Sequence, residues 1–152
     1  MILCTICMRG GSKGVKGKNL RSLHGRPLME YTIEQAKESN IFEDIVISTD
    51  SLDITSIAEG MGLEVWFQRP KELSNDEAAK IPVIIHALHQ AEDHFNKEYS
   101  LVVDLDATSP LRKVEDILGA IDHFKSQNSK NLVTVSPSRK NPYFNMLEVN
   151  DK

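Results

Sequence analysis

Runs of strand length alternate with segments of helical period along almost the whole chain, and that order constrains the fold more than any other feature. Met1–Met8 is an apolar run of buried-strand type, closed by a glycine-rich loop, and Pro27–Glu38 follows with Met29, Ile33 and Ala36 at helical spacing. Ile45–Ser48 reads as strand, Leu52–Glu59 as a short helix stopped at Gly60 and Gly62, and Glu64–Phe67 as a third strand. Ile81, Ile84, Ile85, Leu88 and Ala91 mark one face of a helix that must begin just before Pro82, because proline is tolerated only in a first turn. Leu101–Leu105 is a strand, Val114, Ile117, Ile121 and Phe124 line a helix, and Leu132–Ser136 is a strand again. Strand then helix, repeated, predicts an α/β fold: a mostly parallel sheet with helices on both faces. Ligands of such sheets bind beyond the carboxyl ends of the strands. The loops after Met8, Ser48, Phe67 and Leu105 are therefore expected to share one rim.

The length of 152 residues fits one domain, with no internal repeat or linker. The charge is unevenly spread. Arg9 to Arg26 holds six of the 18 basic residues and no carboxylate, leaving 12 basic against 22 acidic residues elsewhere, a net of −10. A nucleic-acid binder spreads its cations over a face, so one cationic spot in an acidic body argues against nucleic acid and for a small anion. No apolar run approaches a membrane span, and the N-terminus lacks the basic region of a signal peptide; the expectation is a cytoplasmic protein that does not engage a membrane.

Cys4 and Cys7 have the C-x-x-C spacing of redox and zinc sites. Inside a strand, a separation of three puts them on opposite faces, and His86 and His89 carry no pattern that ties them to the pair. Small apolar core residues are the better reading.

The loop itself, Arg9-Gly-Gly-Ser-Lys-Gly-Val-Lys-Gly-Lys-Asn19, has four glycines and four cations. A Walker A loop would need glycine where Ser12 stands and Ser or Thr where Asn19 stands, and no G-x-G-x-x-G is present. Glycines still let backbone N–H groups converge on an anion, with Arg9 and Lys18 reaching in from either end.

This loop, followed by Gly25-Arg-Pro-Leu28, then Ser48-Thr49-Asp50, Arg69-Pro70 with Glu72-Leu73, Asp76, and Thr108-Ser-Pro-Leu-Arg112, resembles the CMP-sugar synthetases, the cytidylyltransferases that activate sialic acid and related nonulosonic acids. The resemblance spans nearly all of the chain. It implies a Rossmann-like nucleotide-diphospho-sugar transferase fold that binds CTP, with a sugar hydroxyl attacking the α-phosphate and pyrophosphate leaving with help from Mg²⁺. Carried over, Arg9 and Lys18 are the catalytic cations. Gly10, Gly11, Ser12 and Asn19 line a phosphate cradle, and Cys7 and Met8 with Arg69 form the base and ribose site. Asp76 and Lys80 complete the nucleotide set, and Asp106, Thr108 and Ser109 face the sugar.

Bland alternatives stand beside these roles. Arg69 serves equally to cap a loop, Asp76 to begin a helix or turn, and Thr108 and Ser109 to shape the turn into Pro110. Asp106 departs from the glutamine found in many sialic acid synthetases. It is either a Mg²⁺ ligand or a sugar contact, and with Lys80 it resembles the subgroup that activates legionaminic-type sugars. Asp104 would share its face. Family members run past this length, so the chain is expected to be incomplete at its C-terminus, with Tyr143–Val149 a strand awaiting a partner, and the complete protein a homodimer. The alternatives to a CMP-nonulosonate synthetase are a non-catalytic nucleotide-binding fragment and a nucleotidyltransferase for another sugar or nucleotide.

Overall fold

A computed structural model describes residues 1–12, 14–127 and 129–135. The chain divides into two compact units, Met1–Leu118 and Gly119–Lys152, with the boundary inside one helix. Everything that bears on the site lies in the first.

Three parallel strands form its sheet: β1 (Ile2–Cys7) lies between β4 (Asp44–Ser48) and β5 (Leu101–Asp104). Cys4 pairs with Ile45 on one side and Val103 on the other. A two-residue hairpin, β2 (Ser22–Leu23) with β3 (Arg26–Pro27), follows the glycine loop. The helices are α1 (Leu28–Ser39), α2 (Leu52–Gly60), α3 (Lys80–Phe95) and α4 (Val114–Ser126).

A central parallel strand is buried on both faces, which is why β1 is apolar at successive positions rather than alternate ones. Leu3 and Thr5 face one way and Cys4 and Ile6 the other, and all four are 0% exposed. On the first face Leu3 and Val46 pack with Ala87 and Ala91 of α3. Met29, Ile33 and Ala36 are buried as the helical spacing predicts.

The buried stripe of α3 is Val83, Ala87 and Ala91, while Ile81 and Ile85 are 63% and 45% exposed. The expected stripe is therefore rotated. Alanines on the inner face bring the helix close to the sheet, and aromatic side chains from Trp66 and Phe67 fill the flank that larger helix residues would otherwise cover.

Glu64–Phe67 is not a strand. Its backbone joins no ladder; the segment is held by side chains, with Trp66 stacked on His94 at 4.2 Å and Phe67 edge-on to His86 at 5.5 Å. Nor do residues 132–135 form a strand: Val133 and Val135 are 73% and 90% exposed. The expected strand Tyr143–Val149 and Ser136 lie outside the described residues.

Candidate active site

The glycine loop leaves β1 where Met8 donates its N–H to the Ser48 carbonyl at 2.9 Å. Gly10 then donates its own N–H to Asp50 Oδ1 at 2.8 Å. A Cβ on Gly10 would stand 3.0 Å from that of Ser51, tighter than ordinary van der Waals contact, so glycine suits the close approach of this loop to the one that follows β4. At its far end Gly17 takes φ 62°, a left-handed turn into the 3-10 turn Lys18–Leu20. Asn19, 6% exposed, donates from Nδ2 to the Arg9 carbonyl at 3.2 Å and so ties the two ends together.

Beyond the carboxyl ends of β1 and β5 lies a cleft of about 540 Å³. Its wall takes Cys7, Met8, Arg9, Ser12, Lys18 and Asn19 from β1 and its loop, Arg69, Asn75, Asp76 and Lys80 from the segment entering α3, and Asp106 and Thr108 from the loop after β5. Gly10 and Gly11 line an adjoining depression together with Arg9, Ser12 and Lys16. Ser109 lines neither: its N–H donates to the Asp106 carbonyl at 3.3 Å, and its carbonyl accepts from Arg112 at 3.2 Å.

Cations and carboxylates are paired across this wall. Arg9 Nη1 lies 2.6 Å from Asp76 Oδ1. Lys80 Nζ lies 2.6 Å from Asp104 and 3.2 Å from Asp106. Burial alone would lower the Lys80 pKa, but hydrogen bonding and attraction from the two carboxylates carry it above the ordinary lysine value. Asp106 answers in the opposite sense. Burial would raise its pKa, yet Lys80 and Thr108 hold it below the usual carboxylate range.

Arg69, 6% exposed, turns inward. Its Nε donates to the Ser48 hydroxyl at 3.0 Å, its Nη2 to the Ser48 carbonyl, and its backbone N–H to Thr49 at 2.8 Å. Burial lowers its pKa. Among the nucleotide candidates, the amides of Met8, Gly10, Ser12 and Arg69 thus already donate within the chain.

Cys4 is wholly buried, and Cys7 lines the cleft. Burial first, and the Asp104 charge second, push the Cys7 thiol up to about 12, which disfavours the thiolate that nucleophilic chemistry needs. Among the described residues no three His, Cys, Asp or Glu side chains gather as a metal site.

Several supporting residues escape a reading of the sequence. Asp50 stands within the quoted Ser-Thr-Asp stretch, but nothing local marks it as the acceptor for Gly10. Gln35 and Thr32 sit on the buried face of α1 and bond the loop after β5. A polar residue interrupting a helix's apolar stripe is the one signal that could have found them.

A glycine loop, facing cations and a strand-end carboxylate meet beyond the carboxyl ends of a parallel sheet, where ligands of such sheets bind. The chain belongs to the cytidylyltransferase family, whose model matches residues 3–148. Post-translational flagellin modification protein B of Campylobacter coli is 50% identical over 150 residues, which cover 99% of this chain and 64% of that protein. CMP-N,N'-diacetyllegionaminic acid synthase of Campylobacter jejuni is 48% identical over 148 residues, 97% of this chain and 63% of that one. The chain thus spans less than two thirds of the length of these relatives. Among solved structures, CMP:2-keto-3-deoxy-manno-octonic acid synthetase complexed with CTP is similar at TM-score 0.69 and 17% identity, over 84% of this chain and 48% of that one, a likeness of fold.

Proposed function

We propose that this chain serves a cytidylyltransferase that transfers CMP from CTP to a nonulosonic acid of the sialic or legionaminic type. The supporting observation is the convergence of Arg9, Lys18, Arg69 and Lys80 on one cleft of a cytidylyltransferase-family chain. Relatives named for CMP-legionaminic acid synthesis favour the acceptor class.

In the reaction a sugar hydroxyl oxygen bonds to the α-phosphorus as the bond to the bridging oxygen breaks. Pyrophosphate leaves with that electron pair, and the hydroxyl proton passes to solvent. Such a displacement asks for positioning and charge neutralisation rather than a protein nucleophile. Arg9 and Lys18 neutralise the β- and γ-phosphates and the departing pyrophosphate. Gly11 and Ser12 surround the phosphates, Asn19 keeps the loop closed, and Asp106 with Thr108 orients the acceptor.

Asp104 and Asp106 offer the hard oxygen donors that suit Mg²⁺, an ion usually held by one or two carboxylates together with substrate phosphates and water. The donor set fits, and Asp106, with its side chain 57% exposed, is the more accessible of the two. The ion, when bound, supplies further neutralisation of phosphate charge. The same reading makes the complete protein a cytoplasmic homodimer that binds neither nucleic acid nor membrane. Among the described residues no helix is long and apolar enough to cross a membrane.

Thermal shifts with CTP, ATP and GTP, followed by pyrophosphate release with a panel of nonulosonic acids, test the proposal. A preferential CTP shift by this chain and acceptor-dependent release by the complete protein are expected. Equal shifts with all three nucleotides would sink the cytidylyl reading, and CTP binding without release would reduce the chain to a nucleotide-binding part.

A further inference from the structure

The loop after β5 carries Asp106, Thr108 and Ser109 but holds no regular element before α4, so its order has to come from elsewhere. One side chain on α1 supplies much of it. Gln35, 9% exposed, donates from Nε2 to the Pro110 carbonyl at 3.0 Å and to the Arg112 carbonyl at 2.7 Å. Its Oε1 accepts from Arg112 Nη1 at 3.1 Å. Arg112 in turn donates from Nη2 to the Asp106 carbonyl at 2.8 Å, where the Thr32 hydroxyl of α1 also arrives at 3.4 Å.

A buried amide is costly unless its donors and acceptor are used, and here both are. Packing alone would be served as well by an apolar residue, because Gln35 lies among the buried Met29, Ile33 and Ala36 face of the helix. The amide has a different task. Among the described residues its side-chain bonds go to Pro110 and Arg112, across a sequence separation of 75 or 77.

We infer that Gln35 is a positioning residue for the acceptor side of the cleft. It fixes the main chain of residues 106–112, and so sets Asp106 against Lys80 at 3.2 Å and Thr108 at 3.3 Å, without touching the nucleotide side. The helix that does this begins at the exit of the glycine-rich segment, where Leu28 donates its N–H to Arg21 at 2.9 Å. One helix thereby gives both loops a common support. The word acceptor rests on the function proposed above; the restraint on the loop does not.

Hydrogen exchange of the intact chain, with calorimetric CTP binding, tests this. Gln35→Met keeps side-chain length and helix preference. Its amides in 106–112 should exchange about tenfold faster or more, with β1 and α3 unchanged and the CTP Kd within about twofold. Gln35→Glu puts a carboxylate oxygen where Nε2 donated, against the Pro110 and Arg112 carbonyl oxygens at 3.0 and 2.7 Å, and should loosen the loop at least as much as Gln35→Met. Glu34→Gln, on the same helix but paired with Arg26 at 2.7 Å, should change nothing in the loop. Unchanged exchange in 106–112, or an equal rise throughout β1 and α3, would make Gln35 an ordinary core residue and overturn the inference. Loss of CTP binding in Gln35→Met alone would also overturn it, by moving the effect to the nucleotide side. If wild type itself ignores CTP, the cytidylyl reading fails and the exchange comparison still decides the role of Gln35.

Discussion

Arg9 Nη1 lies 2.6 Å from Asp76 Oδ1, so the guanidinium at the mouth of the glycine loop is already neutralised by a carboxylate of the same cleft. Under the proposed function an incoming triphosphate has to compete with that carboxylate for the cation. Both side chains are about one third exposed, which keeps the pair weak, within about 1 kcal/mol. Asp76→Asn should therefore tighten CTP binding by about two- to fivefold in calorimetry. Weaker binding would mean that Asp76 itself contacts the nucleotide.

Gly10→Ala tests whether the loop depends on close approach to the segment after β4. The new methyl would meet the Ser51 Cβ at 3.0 Å, and the Gly10 amide would be drawn off Asp50. Overpacking of this kind costs about 1–3 kcal/mol, with about 2–4 °C of Tm lost for each. Gly11→Ala, with nothing within 4 Å of its Cβ, should melt like wild type. Equal melting of both variants would remove the packing argument.

Cys7 gives a pH signature. Its thiol is pushed from 9.0 to about 12, so at pH 8 the folded chain should hold about a thousandfold less Cys7 thiolate than the unfolded one. Iodoacetamide labelling mapped by mass spectrometry should be correspondingly slow until urea is added. The fold keeps a proton that the unfolded chain releases between the two values, so stability is present below pH 9 and is lost as pH rises towards 12. Cys7→Ala should remove part of that alkaline slope. Rapid labelling of native Cys7 would contradict the raised thiol pKa.

Asp106→Asn probes the opposite limb. Its folded pKa lies below the ordinary 3.8, so its contribution is present above that value and is lost as pH falls through the folded pKa. The Tm gap between wild type and variant should be small at pH 7, under about 1 kcal/mol in equivalent stability, and should close on acidification. Kinetics of the same variant separate two roles: a metal ligand raises the Mg²⁺ requirement, an acceptor contact raises the acceptor's KM. No change in any of these would make Asp106 a surface acid.

Local sequence determined a good deal. The eight-residue apolar start, the glycines that end it and the helical spacing of Met29, Ile33 and Ala36 each report the backbone and burial of their own segment, because period and turn chemistry act over a few residues. The glycine loop's cationic character follows from the same short-range pattern, and the rule for parallel sheets sets it beside the loop after β5; Lys80 and Asp106 stand out as site residues through the family resemblance. What tertiary structure decided is partnership. Gly10 with Asp50, Arg69 with Ser48, Lys80 with Asp104, and Gln35 with the Pro110–Arg112 carbonyls join residues 21 to 77 positions apart. No local propensity encodes which cation meets which carboxylate. The stripe of α3 differs from the expected one for the same reason: Ile81 and Ile85 satisfy the helical period as well as Val83 and Ala87 do, and only the close approach of the sheet selects the smaller side chains. Glu64–Phe67 has strand-like composition, yet a strand exists only if a neighbour offers its ladder, and here the aromatic side chains are taken up by α3 instead.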